Sequence, residues 1–131
     1  MTSKRSLAVV STALAAVSSV ALAMAPTATA GSAKGCAYPR VCFYLTASDW
    51  NSNSPTAAFK DVTPAYQNLG PRSRGADFVH NTRNDDRVYL RYIVNSTGTT
   101  RHLCVNPNTT AIFSSAYTVT GIRIETAPAC P

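Results

Sequence analysis

The chain has 131 residues, with 12 Lys and Arg residues against 6 Asp and Glu residues, which gives a net charge of +6. The basic residues are scattered and form no block of five or more, so we expect no nucleic-acid-binding arm and no nucleic-acid partner. This length accommodates a single small domain after removal of an N-terminal segment, which excludes a large multidomain enzyme.

The N-terminal residues 1–30 have the pattern of a secretory signal peptide. A short basic start, Lys4-Arg5, precedes an uncharged run of mostly Ala, Val and Leu, and Ala28-Thr29-Ala30 is a small-x-small cleavage motif. The run is rich in Ala and Ser and ends at Pro26, which is weak for a transmembrane anchor of about 20 apolar residues. We therefore expect secretion to the extracellular space and a monomeric mature domain, residues 31–131, that binds no membrane.

Short apolar runs separated by turn residues predict an all-β domain. Residues 46–56, which hold Trp50, are polar and predict a loop, and no window has the period of an amphipathic helix. In the last run Ile122 and Ile124 alternate with charged residues, as on a half-buried strand. The predicted strands, rich in β-branched and aromatic residues, are 41–45, 57–62, 75–81, 88–94, 101–105, 111–113 and 121–125.

The two halves of the mature chain repeat the same order of elements. Each half holds about four strands, so the repeat predicts two Greek keys packed face to face. The corresponding segments are 41–45 with 88–92, 59–62 with 102–105, Leu69 with Ile112 or Phe113, and 75–79 with 121–125.

All four cysteines lie in the mature chain, and an even number in an exported protein indicates two disulfides. Four cysteines allow three pairings, and the sequence alone does not choose among them. We favour Cys36–Cys42, which closes a tight loop around Pro39, together with Cys104–Cys130, which ties down the C-terminus. No Cys-x-x-Cys spacing occurs, so a zinc site is not expected.

Three short motifs carry a resemblance to a known family. A Cys-x(4–6)-Cys-x-Tyr opening spans Cys36–Tyr44, Asn68-Leu69-Gly70 precedes a strand, and Arg87–Leu90 opens the second half. Across nearly the whole mature chain they resemble the secreted metalloproteinase inhibitors of streptomycetes and their relatives. The resemblance implies a βγ-crystallin-like double Greek-key sandwich with two disulfides. It also implies a secreted inhibitor, not an enzyme, whose partner is an extracellular peptidase, with thermolysin-like metalloproteases favoured.

The resemblance also implies a reactive peptide bond, Cys104-Val105. In the family's mechanism an exposed Cys-Val bond lies in the protease cleft like a substrate, so Val105 would fill the pocket after the scissile bond and the Cys104 carbonyl would approach the zinc. The flanking contact residues would be Arg101, His102, Asn106 and Pro107. The chain departs from the family pattern because residues 108–110 lack the nearby second cysteine. An ordinary strand end with a disulfide-forming cysteine is the competing interpretation.

Two other functions remain open. A secreted ribonuclease would need an acid–base pair such as His80 and Glu125, whose spacing does not force them together. A cell-envelope, carbohydrate- or protein-binding module would use exposed aromatic residues. The candidates are Tyr38, Trp50 and Tyr66, although Trp50 is equally suited to fill the space between two sheets.

Metal and cofactor binding are not expected. Crystallin-type calcium sites need paired amide or carboxylate side chains, which the corresponding segments 73–78 and 116–121 lack. Asp85-Asp86 is an acidic pair, but it lies in a connector and is expected to face solvent.

Overall fold

The computed structural model describes residues 31–131, so the predicted signal peptide lies outside the described residues. The prediction of an all-β class is confirmed. Within the described residues, no helix is both long enough and apolar enough to cross a membrane. The elements in chain order are β1 (Val41–Tyr44), α1 (Ala47–Asn51), β2 (Ala57–Phe59), β3 (Gln67–Asn68), β4 (Phe78–Asn81), β5 (Arg87–Val94), β6 (Thr99–Val105), β7 (Thr110–Ile112) and β8 (Tyr117–Glu125).

The strands form two four-stranded antiparallel sheets that exchange one strand each. The first sheet has the order β2-β1-β4-β7 and the second has the order β3-β8-β5-β6. Each sheet therefore takes three strands from one half of the chain and a fourth from the other half. Numbering β5 to β8 as equivalents of β1 to β4 makes the two strand orders identical, so the repeat read from the sequence exists as a repeat of topology.

The strand ladders correct the register of that repeat. Phe43 in β1 and Leu90 in β5 are both fully buried and occupy equivalent places. Val79 lies opposite Phe43, and Ile122 lies opposite Leu90. The last strands of the two halves, β4 and β8, therefore align Val79 with Ile122, whereas the predicted alignment pairs Val79 with Glu125. The predicted alignment pairs Gly75 with Gly121, and a glycine marks a turn without fixing which residues of the following strand face inward.

The helix α1 contradicts the prediction of a loop without helix. Thr46 is its N-cap: the Asp49 N–H donates to Thr46 Oγ1 at 3.2 Å, and the Thr46 N–H donates to Asp49 Oδ2 at 3.0 Å. This reciprocal pair is a capping box, which satisfies donors that a helix start leaves without partners. Five residues are too few to show a helical period, so only the capping pattern could have predicted the helix.

The core lies between the inner faces of the two sheets. Alternate strand residues point inward, and the inward set is apolar on both sheets. The predicted strand over 57–62 ends at Phe59, and Val62 makes only an isolated bridge to Ile124. The buried core side chains are Val41, Phe43, Leu69, Ala76, Val79, Val88, Leu90, Val105, Ala111, Phe113, Val119, Ile122 and Ile124.

Trp50 lies outside this core. It packs on the outer face of the first sheet, stacked on Phe78 at 4.9 Å and edge-on to Tyr44 at 5.0 Å. The Lys34 Nζ lies 4.5 Å from the centre of the Trp50 ring. Trp50 therefore covers a second, smaller apolar cluster and does not fill the space between the sheets.

Two disulfides brace the sandwich, and their pairing is the one that we favoured. Cys36 bonds to Cys42 beside β1, and Cys104 at the end of β6 bonds to Cys130 near the C-terminus. Paired cysteines are typical of proteins that fold in an oxidising compartment such as the extracellular space.

Candidate functional site

The strand β6 is the longer of the two edge strands of the second sheet, with 7 residues against 2 in β3 at the other edge. It pairs with β5 on one side only, through Thr99–Val105. Its residues 99–103 are exposed, including the predicted contact residues Arg101 and His102. An exposed edge strand presents unpaired backbone N–H and C=O groups in an extended conformation. It is therefore the part of the second sheet best suited to pair with another chain.

The predicted reactive bond does not project from this edge. Val105 is 5% exposed, belongs to the core and lies opposite Val88 in the ladder. A residue that fills a protease pocket must extend away from its own protein, whereas the side chain of Val105 is buried here, contrary to the expectation of an exposed bond. The physical reason is strand alternation, which turns Val105 toward the other sheet. Cys104-Val105 is the end of a strand that a disulfide ties to the C-terminus.

The loop after β6 is held by Asn106. The Cys130 N–H donates to Asn106 Oδ1 at 2.7 Å, and Thr109 Oγ1 donates to the Asn106 carbonyl at 2.7 Å. Asn106 itself is exposed, and the neighbouring Pro107 is half-buried. These hydrogen bonds, with the Cys104–Cys130 link beside them, supply the constraint that a second nearby cysteine would have provided.

The outer face of the second sheet carries interleaved cationic and aromatic side chains. Tyr66 stands just before β3, and the other members alternate along β5 and β8. We call this set the Arg–Tyr face; it comprises Tyr66, Arg87, Tyr89, Arg91, Arg123 and Glu125. The guanidinium of Arg123 lies 4.9 Å from the centre of the Tyr66 ring and 5.1 Å from that of Tyr89. Burial raises the pKa of Tyr66, and the positive charge of Arg123 partly opposes that rise.

Part of the Arg–Tyr face could have been found in the sequence. Tyr89 and Arg91 lie two residues apart on one predicted strand, with Arg87 two residues before Tyr89, and Arg123 and Glu125 lie two residues apart on another. The pattern does not predict that the two strands are neighbours in the sheet, and it does not predict the position of Tyr66.

The residues considered for a ribonuclease lie on opposite outer faces. His80 is in the first sheet, buried, 6.3 Å from the Trp50 ring, with its Nδ1 2.8 Å from Thr110 Oγ1. Burial lowers the pKa of His80. Glu125 is in the second sheet and is paired with Arg87 and Arg123. The fold does not bring His80 and Glu125 together, so they cannot share one substrate.

The acidic pair in the connector differs from expectation. Asp85 is exposed, but Asp86 is buried and accepts a 2.6 Å hydrogen bond from Arg83 Nε. The prediction that both face solvent is wrong for Asp86 because Arg83 neutralises it in place. Among residues 31–131, no three His, Cys, Asp or Glu side chains are grouped to hold a metal ion.

The three aromatic residues considered for a binding module are also dispersed. Tyr38 is exposed near the first disulfide, Trp50 covers the first sheet and Tyr66 lies on the second.

None of the compared family models, curated proteins or solved structures matches the chain.

Proposed function

We propose that the chain is a secreted, non-enzymatic inhibitor of an extracellular peptidase, with a thermolysin-like metalloprotease as the favoured target. We also propose that its fold is the βγ-crystallin-like double Greek key. The reciprocal exchange of β3 and β7 supports this fold, because it links two equivalent four-stranded halves across one core. The short motifs that resemble the inhibitor family lie within this framework.

The open edge of β6 is the observation that carries the inhibitor proposal. Peptidase clefts bind their substrates as extended chains, and an exposed edge strand has that conformation before binding. Arg101, His102 and Leu103 are exposed along it. Leu103 faces the same inner side of the sheet as Val105, but 38% of its surface remains open to an apolar subsite. In this proposal β6 occupies the cleft as an added strand, without cleavage at Cys104-Val105.

Rigidity favours inhibition over consumption as a substrate. The Cys104–Cys130 disulfide and the burial of Val105 hold one end of β6, while β5 pairs along its length. A segment already fixed in its bound conformation loses little entropy on binding. The same constraints prevent the chain from distorting around an attacking water.

The test is a titration of thermolysin and of subtilisin with the mature protein. We expect near-stoichiometric loss of thermolysin activity, and Leu103→Ala should weaken inhibition about ten-fold, which corresponds to about 1.4 kcal/mol of lost contact. Val62→Ala is the matched control, since Val62 is an aliphatic residue 47% exposed beside β8, at the opposite side of the second sheet. No inhibition of either protease, or equal losses for the two variants, would contradict this assignment of the edge.

A further inference from the structure

The charges of the strands are segregated between the two sheets. The strands of the second sheet contain four arginines, Arg87, Arg91, Arg101 and Arg123, and a single acidic residue, Glu125. The strands of the first sheet contain no Lys, Arg, Asp or Glu. The strands of the second sheet therefore carry a net positive charge, although the charges look scattered along the sequence.

Glu125 does not neutralise the Arg–Tyr face. Its carboxylate is shared, with Oε2 2.8 Å from Arg87 Nη2 and Oε1 2.5 Å from Arg123 Nη2. One negative charge thus stands against three guanidinium groups. The side chains of Arg87 and Arg123 are 24% and 27% exposed, so a ligand from solvent can reach them.

Arg91 is held in position before any ligand arrives. Its Nε donates to Thr120 Oγ1 at 3.0 Å, and its Nη2 donates to Asn68 Oδ1 at 2.7 Å. Arg91 pairs with Gly121 and the next residue of β5 pairs with Val119, so Thr120 is an extra, bulged residue of β8. The bulge leaves the Thr120 hydroxyl free to accept the hydrogen bond from Arg91. Bulges commonly redirect side chains in this way. The guanidinium then lies directly over Gly121, where a Cβ would be 2.8 Å from Arg91 Cζ.

The tyrosines of this face offer edges and hydroxyls more than open ring faces. Tyr66 has Arg91 at 5.6 Å and Arg123 at 4.9 Å, and His102 packs against it at 5.1 Å. Tyr89 likewise has Arg87 at 5.2 Å and Arg123 at 5.1 Å. Nucleobases need uncovered aromatic faces for stacking, and guanidinium groups already lie over the rings of Tyr66 and Tyr89. Guanidinium N–H groups and phenol hydroxyls suit carboxylates and sugar hydroxyls instead.

We propose that the Arg–Tyr face binds an anionic polysaccharide, with the acidic groups of the glycan on the arginines and its hydroxyls on the tyrosines and Asn68. The face is an open sheet surface, so it fits an extended polymer better than a small compact anion. This site adjoins the inhibitory edge at His102, which packs against Tyr66, but Leu103 points to the inner side of the sheet while Tyr89 and Arg91 point outward. Leu103→Ala should therefore leave polysaccharide binding unchanged.

The experiment measures binding of the mature protein to polygalacturonate, to neutral dextran and to a single-stranded oligodeoxynucleotide of matched charge. We expect binding to polygalacturonate that weakens with salt, no binding to dextran, and weaker binding to the oligonucleotide. Tighter binding of the oligonucleotide would overturn the choice of a polysaccharide. Absence of binding to polygalacturonate at low salt would overturn the site itself.

Two sets of variants separate this site from net charge. Gly121→Ala keeps every charge but displaces the Arg91 guanidinium, and Arg123→Lys keeps the charge but loses the planar group between two rings. Each should weaken binding about ten-fold, the scale of one charge-assisted hydrogen bond. Arg72→Gln with Arg74→Gln removes two charges from an exposed turn and should have a much smaller effect. A thermal melt checks folding, and a loss confined to the Arg72 and Arg74 pair would refute the site.

Discussion

Replacement of Val105 by Ala separates a core residue from a reactive-site residue. Val105 is 5% exposed and packed among the core side chains, so removal of its two methyl groups loses about 0.8 kcal/mol each in transfer free energy. A residual cavity adds to this loss, which brings the expected cost to about 2 kcal/mol of the free energy of unfolding. For a domain of this size, about 2 kcal/mol lowers Tm by roughly 8–16 °C.

The assay is a pair of measurements on Val105→Ala and Leu103→Ala. Calorimetry should show the large drop in Tm for Val105→Ala and a small one for Leu103→Ala, because 38% of Leu103 is already exposed. Thermolysin inhibition, measured well below either Tm, should be weakened by Leu103→Ala and retained by Val105→Ala. If Val105→Ala melted within about 2 °C of the parent and abolished inhibition, Val105 would act in the protease cleft and its assignment to the core would be refuted.

Two further outcomes follow from the disulfides and from His80. In urea unfolding, removal of the second disulfide by Cys104→Ala with Cys130→Ala should cost about 3.5 kcal/mol, and removal of the first by Cys36→Ala with Cys42→Ala should cost about 2 kcal/mol. The sequence separations are 26 and 6, and opening the longer loop gives the unfolded chain more entropy. A reversed order would show that native-state strain or residual structure in the unfolded chain dominates. Burial lowers the pKa of His80 below its ordinary value of 6.5. The unfolded chain therefore binds a proton more readily than the folded protein does. The stability that is present above pH 6.5 is lost as the pH falls from that value toward the pKa of the folded state. In urea unfolding measured at a series of pH values below 6.5, His80→Gln should reduce this loss of stability. An unchanged dependence of stability on pH would mean that His80 has the same pKa in the folded and unfolded states.

The local sequence determined the all-β class and the presence of two disulfides, but not every element: it missed the helix α1. Runs such as Val88–Val94 are rich in β-branched and aromatic residues, which favour strands, and several such runs indicated the all-β class. The even number of cysteines in a chain with an export-type N-terminus indicated two disulfides, which also needs no knowledge of the fold. The shared order of the two halves also followed from the sequence, although a match of glycines gave it the wrong register.

Only the tertiary structure decided which side chains reach solvent. Alternation along β6 predicts that neighbouring residues face opposite ways, but not which way is inward, and packing of the second sheet against the first turned Val105 into the core. The Arg–Tyr face depends on β5 and β8 being neighbours although they lie far apart in the chain, and on Tyr66 arriving from the other half. Such surfaces are set by strand order, which is a long-range property that no window of sequence contains.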